Sequence, residues 1–67
     1  MSVFSERFKE LRQEKGLSTK QLGDKLGVKN STITRWENNL RIPNIESLYK
    51  IAVFFNVSSD YLIGLEN

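Results

Sequence analysis

With 67 residues, the chain has room for one small domain and a modest core. It holds no cysteine and no histidine. That excludes a disulfide staple and a thiolate zinc site, and it removes the commonest general base and metal ligand. The formal charge of +2 is unevenly laid out: residues 15–41 carry six bases against two acids, residues 1–14 balance three against three, and residues 42–67 set one base against three acids. A basic middle suits a positive face turned to a polyanion; it is also what an ordinary solvated surface shows.

Phe4, Phe8 and Leu11 recur at i, i+4 and i+7, which predicts a first helix with one apolar face, ended by Gly16. Ser18 reads as the next N-cap, and Gln21 three residues on completes a capping box. Leu22 and Leu26, one turn apart, give the second helix its buried side before Gly27 ends it. A third helix is predicted from near Asn30 to Asn38–Asn39, with Ile33 and Trp36 facing inward. Pro43 and Asn44 restart the chain, with Asn44 as N-cap and Glu46 in a first turn whose dipole favours an acid. Ile45, Leu48, Ala52 and Phe55 carry the fourth helix, and the run Ile51–Phe55 reads as its buried end rather than a strand. Asn56–Val57 breaks it, and Ser58, Asp60 and Gly64 mark a short fifth helix. An all-α, five-helix domain over residues 1–67 is the expectation, with no linker, repeat or low-complexity stretch.

The most informative stretch is Thr19–Asn38, where two short helices meet at a tight glycine turn. A residue without Cβ takes φ > 0 at Gly27 without steric cost, and Val28 can plug the angle between the helices. That is the layout of a helix-turn-helix. On a helical wheel, Asn30, Thr34, Asn38, Ser31 and Arg35 fall within roughly 140° of one another, with Ile33 and Trp36 opposite. The outer stripe is therefore amide, hydroxyl and guanidinium, without a carboxylate. Those groups can read base edges in a major groove, although a polar solvated face is the commoner origin of such residues.

The chain resembles the lambda-repressor-like (XRE-type) helix-turn-helix family of phage repressors and Cro proteins. The resemblance rests on the run Phe8–Ser18, on Leu22, Gly27, Val28 and Ser31-Thr32-Ile33, and on Arg35-Trp36-Glu37-Asn38. It continues through Pro43, Leu48, Ala52 and Asp60-Tyr61-Leu62-Ile63-Gly64, so it covers about residues 4–64 without a gap. It implies that residues 30–38 form the recognition helix of a DNA-binding transcriptional regulator, with Asn30, Ser31, Thr34 and Arg35 at base-contacting positions. It places Thr19 and Asn38 at phosphate-contacting positions, with Lys29 and Arg41 able to add backbone contacts. Arg12 and Glu37 match a pair that in the family joins the first helix to the third. The chain departs from the pattern at four places: Gly23 stands where alanine is preferred, Thr19 replaces glutamine, Lys29 replaces a serine cap so that Asn30 is expected to cap instead, and Asn39 replaces glycine.

Phe8, Leu11, Leu17, Leu22, Leu26, Val28, Ile33, Trp36, Ile45, Leu48, Ile51, Ala52, Phe55, Val57 and Leu62 form the expected core. Leu40, Ile42, Ile63 and Leu65 are left over near loop and chain ends, where family members meet a two-fold mate. A homodimer on an inverted-repeat DNA operator is thus expected, in the cytoplasm and on the nucleoid of a bacterial cell or phage-infected host. No run of about 18 apolar residues exists to span a membrane, and residues 1–8 do not read as a signal peptide. No cofactor, metal or small-molecule effector is expected, and no acid pairs with a base as an enzyme site would need. Two alternatives stay open: that the fold serves an antitoxin or adaptor as a protein-interaction module, or that the chain is the DNA-binding fragment of a longer repressor.

Overall fold

The computed structural model describes residues 2–67; Met1, the first residue of the expected domain, lies outside them. Among the described residues there are five helices and no strand: α1 (Val3–Glu14), α2 (Thr19–Leu26), α3 (Asn30–Glu37), α4 (Ile45–Phe55) and α5 (Ser59–Ile63). The all-α architecture is the one the apolar spacing predicts, and Ser18, Asn44 and Ser58 cap α2, α4 and α5 as expected.

Three of the helix starts are closed by a side-chain cap. Ser18 accepts from the Gln21 amide while the Gln21 side chain accepts from the Ser18 amide, closing the capping box of α2. Asn44 and Ser58 cap α4 and α5 in the same way, accepting from the amides of Ser47 and Tyr61. Two helices end on an asparagine at positive φ, Asn39 at 59° after α3 and Asn56 at 55° after α4. The following amides, Leu40 and Val57, donate back to the carbonyls of Arg35 and Ala52 at 2.9 and 3.0 Å. That bond satisfies a helix-end carbonyl, and asparagine tolerates the left-handed region better than most residues.

One expected cap is corrected. Asn30 does not cap α3; it is already the first helical residue, and the N-cap is Lys29, which forms no side-chain cap bond. Lysine has only donors to offer, so it cannot satisfy helix N–H groups.

The core centres on Phe8, which is fully buried. Its ring stacks on Phe4 at 5.3 Å and meets Trp36 and Phe55 edge-on at 5.7 and 6.3 Å, linking α1 to α3 and α4. Leu22, Ile33, Ile51 and Leu62 are also fully enclosed. Phe4 belongs to this core although the expected set omitted it, and Phe54 packs on its edge. Ile45 is the converse error: it is 86% exposed, because the first residue of α4 sits where the chain has just turned at Asn44 and its side chain points away from the bundle.

Candidate nucleic-acid interface

The joint between α2 and α3 fixes what α3 presents. Gly27 turns at φ 74°, its amide and that of Val28 both reaching back to the Gly23 carbonyl, the latter at 2.9 Å. The backbone of the turn then lies directly on α2. A Cβ on Gly23 would stand 2.7 Å from the Val28 carbonyl oxygen. Glycine at 23 therefore does more than allow close approach: the turn is seated too near for the alanine that the resemblance leads one to expect.

The inner side of α3 is held at three points. Ile33 and Trp36 are buried against the core. Ser5 on α1 donates its hydroxyl to the Trp36 carbonyl at 2.7 Å, a bond within the buried interior. Arg12 forks onto Glu37, Nε to Oε2 at 2.6 Å and Nη2 to Oε1 at 3.1 Å, while its Nη1 donates to the Leu17 carbonyl at 2.8 Å. The two charged side chains are only 14% and 6% exposed, so water screens the pair poorly and each depends on the other.

The outer side is different in kind. Asn30, Ser31, Thr34, Arg35 and Asn38 are all exposed. Of these side chains only Thr34 forms a hydrogen bond among the described residues, its hydroxyl donating to the Asn30 main-chain carbonyl at 3.2 Å. Four side chains with free hydrogen-bonding groups, one of them a guanidinium, thus project from a helix that is rigidly seated behind. Lys29 stands exposed at the α3 N-terminus, Thr19 is half-buried at the start of α2, and Arg41 is exposed in the loop after α3. Helix N-termini carry partial positive charge, so Thr19 and Lys29 occupy places suited to an anion.

Two positions that shape this surface escaped the sequence reading. Nothing in the sequence singles out Ser5, and only its burial and its bond to Trp36 show that it anchors α3. Arg7 donates Nη1 to the carbonyls of Tyr61 and Glu66 and lies 4.3 Å from the Tyr61 ring centroid, tying α1 to α5. Among the described residues no acidic cluster suited to a metal ion is present, and no helix is long and apolar enough to cross a membrane.

Residues 8–62 match the family described as helix-turn-helix. The chain is 38% identical over 58 residues to the HTH-type transcriptional regulator ImmR of Bacillus subtilis, covering 87% of this chain and 46% of that one. It is 40% identical over 63 residues to the HTH-type transcriptional activator BcrR of Enterococcus faecalis, covering 94% and 31%. The chain thus spans less than half the length of these two curated relatives. Its fold superposes on the P22 c2 repressor in complex with a synthetic operator with a TM-score of 0.90, at 29% identity and covering 98% of this chain and 100% of that one.

Proposed function

The chain belongs to the helix-turn-helix family, and on that premise we propose that it binds a specific sequence of double-stranded DNA as a transcriptional regulator, a repressor of the phage type. In this reading α3 lies in the major groove. Asn30, Ser31, Thr34 and Arg35 face base edges, with Arg35 bidentate to a guanine and Asn30 to an adenine. Thr19, Lys29, Asn38 and Arg41 hold phosphates and so fix the register. The observation that carries the proposal is the exposed, carboxylate-free stripe on α3, backed by an inner face locked through Ile33, Trp36 and the Arg12–Glu37 fork. The likeness to the operator-bound P22 c2 repressor supports the same docking and the repressor role.

The chain acts in this reading as a homodimer on an inverted repeat, in the cytoplasm and on the nucleoid. Leu40, Ile42 and Leu65 are each more than 70% exposed, Ile63 is 48% exposed, and Ile45 adds to this apolar surface. A second copy is the occupant that doubles the number of base pairs read.

Selection from a random duplex pool at near-physiological salt tests the proposal. Enrichment of an inverted repeat is the expected outcome. Binding without enrichment that vanishes as salt rises would leave only sequence-independent attraction to phosphates, and the protein-interaction reading would then take its place.

A further inference from the structure

The stripe on α3 carries two exposed hydroxyl residues, Ser31 and Thr34, and the structure gives them different chemistry. The Ser31 hydroxyl has no hydrogen-bond partner among the described residues, so it is free to donate and to accept. The Thr34 hydroxyl is committed: its one hydrogen goes to the Asn30 carbonyl at 3.2 Å, one turn back along the helix. Such back-bonding is a regular option for threonine inside a helix. It has two consequences at a base edge. The oxygen is drawn against the backbone, and it can no longer donate to guanine O6 or N7, adenine N7 or thymine O4. With the oxygen so engaged, the γ-methyl is the part of this exposed side chain left to meet a base.

We propose that Thr34 reads the 5-methyl group of a thymine through its own γ-methyl, and that its hydroxyl serves to hold the side chain in that orientation. Methyl-to-methyl contact with thymine is an established mode of major-groove recognition. This inference rests on α3 entering a major groove and adds the base that one of its residues prefers. It also divides the stripe: Asn30, Ser31 and Arg35 supply polar reading, and Thr34 supplies the single apolar contact.

The experiment starts from the enriched duplex and replaces each thymine in turn by deoxyuridine, which removes the methyl group alone. Wild type is compared with Thr34→Val, which keeps a methyl and loses the hydroxyl, and with Thr34→Ser, which does the reverse. Position 34 is exposed, and thermal melting of all three proteins establishes that each is folded. The expected result is one thymine per half-site whose replacement weakens wild type and Thr34→Val about fourfold, the worth of one buried methyl-sized group, and leaves Thr34→Ser unaffected. A substitution that is silent at every thymine in wild type, or equally harmful in all three proteins, would overturn the inference while leaving sequence-specific binding intact. Loss of affinity in Thr34→Val with retention in Thr34→Ser would overturn it in favour of the hydroxyl. Failure to enrich any duplex would overturn both this inference and the functional reading beneath it.

Discussion

Helices α3 and α4 bury their inner faces in the same core, yet they turn opposite chemistries outward. Behind α3 stand Ile33 and Trp36; in front of it are amide, hydroxyl and guanidinium groups. Behind α4 stand Ile51 and Phe55; in front of it, Ile45, Tyr49 and Val53 are 86, 68 and 62% exposed, spaced one turn apart. Burial alone demands only that the inner faces be apolar, so the outer faces carry the information about partners. A polar face without carboxylates suits the edges of bases beside a phosphate backbone. An apolar ridge suits protein, since water gains nothing from it. The two helices together turn two different surfaces to solvent, one polar and free of carboxylates, the other an apolar ridge.

The sharpest break would come from the anchor of α3. Glu37→Ala leaves Arg12 nearly buried without its partner, and stability measured by urea denaturation should fall by about 3–5 kcal/mol. Under conditions where this variant stays folded, the selected bases should be those of wild type. A loss below about 1 kcal/mol would show that the fork is a surface ion pair of little weight. On the outer face the pattern reverses: Arg35→Ala should weaken binding to the selected duplex by about 1–3 kcal/mol and relax preference at one base pair, with a melting temperature close to wild type. Equal weakening for every duplex would make Arg35 a phosphate contact. Gly23→Ala probes the joint itself. Alanine gains about 1 kcal/mol of helix propensity, but its Cβ cannot stand 2.7 Å from the Val28 oxygen, so a net loss of about 1–2 kcal/mol is expected by chemical denaturation. A stabilised variant would mean that the turn shifts freely. Least of all, Ile45→Ser should alter stability by no more than about 0.5 kcal/mol, because the side chain is already in water. Sedimentation with the duplex should then show impaired pairing of protein copies; unchanged pairing would remove Ile45 from the dimer surface.

Helix limits were readable because they are written in short-range chemistry. Ser18 with Gln21, Asn44, Ser58 and the glycines at 16, 27 and 64 act on backbone groups a few residues away, and a linear sequence displays such pairs directly. The outer stripe of α3 was readable for a related reason, since Ile33 and Trp36 set which way the helix must face. What the sequence concealed depends on contacts between distant segments. Ile45 has the same spacing from Leu48 and Ala52 as a core residue, and only the approach of the chain through Asn44 shows that it points outward. Ser5 bonds to Trp36 across 31 residues, and Arg7 reaches Tyr61 across 54. Thr34 was visible as a polar residue at the right angle, but not that its hydroxyl turns inward. The resemblance suggested the Arg12–Glu37 partnership; its bidentate geometry and the third bond to Leu17 came from the structure.

The three anchors of α3 lie on its inner side, and among the described residues no hydrogen bond of the fold uses the side chain of Asn30, Ser31 or Arg35. Under the proposed function, the address and the architecture are therefore written in separate residues: exchange of a few exposed side chains along one eight-residue helix would redirect the domain to a new site and leave untouched the side chains that hold its fold.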